Sequence, residues 1–391
     1  VFYLKKLLIL FFVIYLSSTP KIDVLAQSSQ DQELQLKSEA AALLDTETNA
    51  VLYAKNADQR MYPASLTKIA TAIYAIDKGD LDSIVQVSAN AVRQDGTRVY
   101  LEEGEQVPLK KLIQGMLINS GNDAAVAIAE HIDGSVEKFS ENINQYLQTV
   151  IGVKNTHFAN PNGLFDENHY TTAMDLAIIT NYAMKNPVFA EIFGTKELQW
   201  QGQSWQTQLY THHLMLKGEL PYPGITGGKT GYVTESKQTL ATTVDNGNLK
   251  MTAVVLKSDL KKDKYDDTAM LFDYGTAHFQ HASIKQGDIF KVDDKDFVPD
   301  HDLMITEEKD GAVKKVDENG LLSIENKSGQ VLQQVQLTYK KPIVKKELPK
   351  KQTKESSSSS PLVYSAGGFG LILIAFIAIL FGAGRKFNRN L

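Results

Sequence analysis

The chain of 391 residues has no cysteine. A disulfide-stapled scaffold, a thiol nucleophile, cysteine-ligated zinc and iron–sulfur clusters are therefore excluded. It also has no excess of positive charge. The formal net charge is −5, so no global basic field invites nucleic acid. His157, His169 and the pair His212-His213 lack metal-ligand spacing and are read as structural or surface residues. Hydrophobic residues are not scarce. At 43% hydrophobic and 22% charged, the composition is that of a globular protein and excludes a fully disordered chain. The length suits two or three folded units.

Both ends differ from the middle. Lys5-Lys6 precede an apolar run at 7–16, and Val24-Leu25-Ala26 offers a small-residue cleavage site. This is the pattern of a secretory signal over 1–26, with a permanent N-terminal anchor as the alternative. Residues 362–384 are 23 positions without a charge, followed by Arg385, Lys386 and Arg389. That length crosses a ~30 Å hydrocarbon core with some tilt. The basic tail at 385–391 then lies in the cytoplasm, and everything before 362 lies outside. The expected localisation is a single-pass protein of the cell membrane, anchored in the lipid bilayer by this C-terminal helix, of a bacterium with a single membrane. Residues 341–361 carry lysines and five consecutive serines. They read as a tether, although the lysines also suit anionic lipid or wall polymer.

Between these ends, 27–280 reads as one domain and 281–340 as a small all-β domain. Apolar runs at 40–44 and 50–53 flank a polar turn and suggest a hairpin. A second hairpin is expected from 237–244 and 249–256 around Asp245-Asn246-Gly247-Asn248. Helices are expected at 65–76, 108–118, 123–131, 135–150, 171–184 and 266–278. This order implies an α+β fold, a sheet with a mostly helical insertion and not a βαβ repeat. After 283, short alternating stretches at 287–292, 321–324 and 331–339 sit between Asp/Gly/Asn turns.

Chemistry starts at Ser65-Leu66-Thr67-Lys68. Three residues apart on a helix, the hydroxyl and the amine share a face. The spacing alone is weak, since it recurs at Ser18 and Lys21, Ser135 and Lys138, and Ser258 and Lys261. The surroundings separate them. Ser18 lies in the export signal, Lys138 is free to point to water, and Ser258 runs into a charged, solvated stretch. Lys68 is the only charge between Ser65 and Ile76 on a helix expected to be buried. Burial favours the neutral amine, whose lone pair is what a base requires. A lysine snorkelling to the surface beside a structural serine is the alternative. Ser120-Gly121-Asn122 interrupts two expected helices and, alone, is most simply a helix-linking turn. Lys229-Thr230-Gly231 follows Gly227-Gly228 toward the second hairpin, and its cation and hydroxyl suit a carboxylate.

The ordered set resembles the penicillin-binding protein and serine β-lactamase superfamily. Within it, the wording MYPASLTKIAT, SGNDAA, NTHFANPNGL and GGKTGY most resembles the low-molecular-mass D-alanyl-D-alanine carboxypeptidases. The resemblance implies an antiparallel sheet plus a helical cluster, a small C-terminal all-β domain and a membrane anchor. It implies that Ser65 is the acylated nucleophile, Lys68 its base and Ser120 a proton relay to the leaving amine. Asn122, Lys229, Thr230 and Gly231 would bind substrate, with Lys229 and Thr230 on the terminal carboxylate. The backbone N–H groups of Ser65 and Tyr232 would form the oxyanion hole. Peptidoglycan stems ending in D-Ala-D-Ala and β-lactams are the implied partners, with no metal or organic cofactor. β-Lactamase, transpeptidase and a non-catalytic wall-binding or β-lactam-sensing module stay as alternatives. The Glu-x-x-Leu-Asn pattern of class A β-lactamases is not found, so Asp166-Glu167 is read as a solvated loop. Trp200 and Trp205 suit edge-strand packing or the rim of a glycan groove.

Overall fold

Apolar runs around polar turns, one pair early in the chain and one after residue 237, build one sheet whose central strands are buried on both faces. A computed structural model gives the fold of residues 34–340. The signal expected at 1–26, the tether at 341–361, the span at 362–384 and the tail at 385–391 lie outside the described residues. Among the described residues, no helix is long and apolar enough to cross a membrane. Strands β1 (Ala40–Asp45) and β2 (Val51–Lys55) form the first hairpin. The second expected hairpin is longer than the sequence pattern suggests. After a two-stranded ribbon, β3 (Glu197–Gln201) and β4 (Gln206–Tyr210), come β5 (Ile225–Val233), β6 (Lys237–Asp245) and β7 (Lys250–Ser258). The five-stranded order is β2-β1-β7-β6-β5, antiparallel throughout. β5, which carries Lys229-Thr230-Gly231, is an edge strand.

The two faces of the sheet bury different partners. Ala40, Ala42, Leu44, Ala241, Val254 and Leu256 join the helical cluster, while Ala41, Leu43, Leu240 and Val255 join the opposite core. On the first face lies α1 (Thr67–Lys78), buried from Thr67 to Ala75. It is enclosed by α2 (Leu109–Ile118), α3 (Asn122–Asp133), α4 (Val136–Tyr146) and α5 (Ala173–Met184), which explains why it is apolar on nearly every side. On the second face lies α6 (Lys261–His278), five residues longer at its start than the expected 266–278. Of the charges that suggested a solvated stretch, Asp259, Lys261 and Lys262 are exposed and only Asp263 is buried, where it accepts from Lys37 Nζ. Asp267 accepts the N–H groups of Lys37 and Ser38, and Ser258 is buried with its hydroxyl 2.7 Å from that of Ser38. These partners come from the other end of the chain, so local composition carries no trace of them.

Trp200 is fully buried on the ribbon, against Gly115, where an added Cβ would lie 2.9 Å from its ring. It is core, not rim. The C-terminal strands β8 (Phe279–Ile284) through β15 (Thr338–Tyr339) form three small sheets around Ile284, Phe297, Ile305, Leu322, Ile324 and Leu337. The strand expected over 331–339 breaks where Leu337 turns into this core. Asp45 ties these strands to the first hairpin. One carboxylate oxygen accepts from the Glu47 and Thr48 N–H groups, and the other lies 2.7 Å from His281 Nε2. Asp45→Ala leaves three donors without their acceptor. It is expected to lower the unfolding free energy by about 1–3 kcal/mol in urea titration, more than His281→Ala does.

Candidate active site

Ser65 lies in a single 3₁₀ turn (Ala64–Leu66) that feeds directly into α1. It therefore sits one turn earlier than a serine within the α-helix. The tighter turn eclipses positions i and i+3, so the spacing keeps its meaning. Lys68 Nζ is 3.0 Å from Ser65 Oγ. The preceding Ala64 has φ +50°, a left-handed conformation that costs a non-glycine residue energy. Gly163 lies against it at φ +83°, where an added Cβ would come within 1.9 Å of the Ala64 carbonyl oxygen. Only glycine fits there.

The Lys68 amine is completely buried. Besides Ser65 it has two partners, Asn122 Oδ1 at 2.7 Å and the Asn162 carbonyl at 2.6 Å. Both are pure acceptors. A neutral amine has two N–H bonds and one lone pair, so it can donate to these two and face the serine hydroxyl with the lone pair. Burial, and then the charge of Lys229, push its proton affinity well below that of an ordinary lysine, with Asp123 opposing. The geometry accommodates the neutral amine, and the electrostatics lower the cost of reaching it.

Ser120 stands between α2 and α3 at φ +64°, a second left-handed non-glycine residue. A strap at 95–101 braces this turn. Asn122 donates through Nδ2 to the Asp95 carbonyl (2.6 Å), its N–H donates to Thr97, and Asn119 donates to Arg98. Asp123, fully buried, accepts the N–H groups of Val99 and Leu101. Burial raises the proton affinity of Asp123, and the backbone donors oppose that rise. The sequence pattern did not single out Asp123, Asn162 or the strap. Asp123 and Asn162 were signalled only by the wording SGNDAA and ANPNGL, and the strap by neither.

From the sheet edge, the buried Lys229 reaches Ser120 Oγ at 3.1 Å and the Thr230 carbonyl at 2.9 Å. Burial and the charge of Lys264 lower its pKa to about 7. Gly231 faces the Ser65 turn. An added Cβ would meet Thr239 Oγ1 at 2.3 Å, and Pro63 O and Ser65 N at 3.0 Å. Absence of a side chain is what lets the strand approach the serine backbone. Thr230 is half-buried beside it, and Tyr232 follows with its ring exposed. Ser65, Lys68 and Asn122 thus form one hydrogen-bonded group, and Ser120 with Lys229 another. The edge strand brings Gly231 to Ser65.

The other residues weighed from sequence stand apart from this chemistry. His169 and His213 are buried, held neutral with pKa values near 3 mainly by burial, and bonded to Thr67 and Thr242. Glu167 is exposed, and Asp166 accepts the N–H of Asn168 in its own loop. Among the described residues, no group of three or more His, Asp or Glu side chains could hold a metal ion. A cavity of about 430 Å³ is lined by Asn119, next to Ser120, and by Trp205, Tyr210, Thr211, His212 and Lys261.

The D-alanyl-D-alanine carboxypeptidase family, peptidase S11, matches residues 26–259. The chain belongs to that family. Similar proteins include the D-alanyl-D-alanine carboxypeptidase DacF of Bacillus subtilis, 33% identical over 71% of this chain and 72% of that one. DacA of Haemophilus influenzae is 30% identical over 68% and 70%. Among solved structures, penicillin-binding protein 5 of Haemophilus influenzae superposes with a TM-score of 0.66 at 26% identity, covering 78% of this chain and 97% of that one. The penicillin-binding protein fold, sheet plus helices, is thus that of this carboxypeptidase-family chain. Gly231→Ala pushes a methyl group into the Ser65 and Pro63 backbone. Covalent labelling by penicillin should slow at least ~100-fold, the scale of losing one oxyanion donor, while far-ultraviolet circular dichroism stays native.

Proposed function

We propose that this member of the peptidase S11 family is a serine-type D-alanyl-D-alanine carboxypeptidase, which removes the terminal D-alanine from peptidoglycan pentapeptide stems. The observation that carries the reading is the buried Lys68 amine, 3.0 Å from Ser65 Oγ and otherwise bonded only to acceptors. Lys68 takes the Ser65 proton, and the alkoxide attacks the carbonyl of the penultimate D-alanine. The tetrahedral oxyanion is held by the N–H groups of Ser65 and Tyr232. Ser120, bonded to Lys229, relays to the leaving amine the proton that Lys68 took from Ser65, so that Lys68 and Ser120 end as they began. Lys229 and Thr230 hold the terminal carboxylate, and Gly231 keeps the strand close. Asn122 orients the stem peptide through the N–H and lone pair its present bonds leave over. Water then attacks the ester and restores Ser65. β-Lactams enter by the same first step and remain attached.

The composition of 341–391 supports a cell-membrane anchor at 362–384 that holds the catalytic part outside the cell, with 341–361 as its tether. On this reading, the β strands of residues 281–340 act as a spacer between membrane and wall. Cells expressing the chain cut after residue 361 should release it from the membrane fraction, and retention there would count against the anchor.

The decisive assay incubates the protein with a stem peptide ending in D-Ala-D-Ala. Free D-alanine is expected, Ser65→Ala should abolish it together with the penicillin adduct, and a folded protein that releases none overturns the reading. Rapid turnover of penicillin would instead mark a β-lactamase. The pH profile follows from the two lysines. Lys68 must be neutral to act, so activity falls on the acid side as it gains its proton. Lys229 must be charged, so carboxylate binding weakens above about pH 7 as it loses its own. A bound carboxylate helps Lys229 keep its proton, so the alkaline limb of kcat should lie higher than that of kcat/KM.

A further inference from the structure

Lys264 is a buried amine that the reaction above does not use. It lies on α6, on the face of the sheet opposite α1 and Lys229. Its Nζ donates to Gln238 Oε1 at 2.8 Å and to the Thr239 carbonyl at 3.3 Å. Neither partner is a carboxylate, so the site accepts a costly buried amine for some return other than an ion pair. Thr239 is the residue that meets the reaction centre from the sheet. It pairs with Gly231 across β5 and β6, and its hydroxyl donates to the Pro63 carbonyl at 3.1 Å, two residues before Ser65. One strand residue is thus gripped from behind by Lys264 while it seats both the nucleophile turn and the Lys-Thr-Gly strand in front.

We propose that Lys264 is a positioning residue, which acts through Thr239 to hold the Ser65 turn against Gly231. This rests on the reading of Ser65 as the acylated serine. The charge of Lys264 also bears on Lys229 through the sheet and is the second cause, after burial, of its lowered pKa. Facing Lys229 are Lys264 across the sheet, Lys68 on α1, and His212 and His213, whose own pKa values Lys229 helps to lower. Facing Lys264 are Lys261 on its own helix, His213 and Lys229. Asp263 and Asp267 of the same helix bond instead to Lys37 and Ser38. Lys264 is itself brought to about 7, by burial and by Lys261.

The test compares the full chain with Lys264→Met, Lys264→Arg, Thr239→Val and the Lys264→Met/Thr239→Val double variant. The measurements are the rate of acylation by penicillin, kcat and KM for D-alanine release across pH, and thermal midpoint. Lys264→Met should slow acylation about tenfold, as expected when one positioning hydrogen bond is lost. The loss should fall in kcat more than in KM. With the neighbouring charge gone, Lys229 keeps its proton to higher pH, so the alkaline limb should move up. Lys264→Arg should recover most of the rate, and the double variant should be no slower than Thr239→Val alone. Lower thermal midpoints with unchanged acylation and an unmoved alkaline limb would overturn the proposal, as would fully additive effects. If Lys264→Met does not fold, Lys264→Arg and Thr239→Val decide by the same readouts. A wild-type chain that penicillin does not label overturns the acylation reading itself, a result distinct from normal labelling in all the variants.

Discussion

A lysine amine shut away from water, with no carboxylate bonded to it, is the constraint on which the rest of this structure depends. Lys68 could have been tolerated as an ammonium beside an acid. The two groups other than Ser65 that bond it are instead an amide oxygen and a backbone carbonyl. Desolvation costs the charged form heavily, so the amine gives up its proton more readily than an ordinary lysine, and its lone pair can then face Ser65. The apolar helix and its four enclosing helices therefore have a chemical consequence besides a stabilising one.

Strain and support are distributed around that amine. Two non-glycine residues beside the chemistry, Ala64 and Ser120, adopt left-handed backbone. Such conformations persist only where neighbours over-determine them. For Ala64 the neighbour is Gly163. For Ser120 it is the strap at 95–101, which the Asn119, Asn122 and Asp123 side chains hold by its backbone groups. The edge strand completes the arrangement. Lys229 crosses to Ser120, and Gly231 leaves room for the serine backbone. Each of the three motifs is thus rigid for a separate reason, and their mutual geometry is fixed by the sheet and helices that carry them.

Much of this was legible before the fold was known. The two hairpins follow from apolar runs around polar turns, most of the helices from longer apolar stretches, and the single charge in an apolar helix marked Lys68. Other features were not. Ser258 and Asp263 read as part of a solvated stretch because their partners, Ser38 and Lys37, lie far away in the chain. Asn162 contributes only a main-chain oxygen, which any residue type can provide, so its identity could not announce that role. Trp200 lay in a polar, glutamine-rich stretch, yet its ring fills the space above Gly115.

By itself, the sequence determined which chemical groups exist and how they are spaced locally. One hydroxyl and one amine a turn apart, a hydroxyl–amide turn and a cation–hydroxyl–glycine strand are properties of short segments and follow from backbone periodicity alone. Only the tertiary structure decided that these segments converge, that the Lys68 amine meets, besides Ser65, two acceptors and no acid, and that Thr239 links the back helix to the Ser65 turn. Those relations arise between residues distant along the chain. Burial and dielectric environment, which set the protonation of an amine, do not exist until the sheet and helices have closed around it.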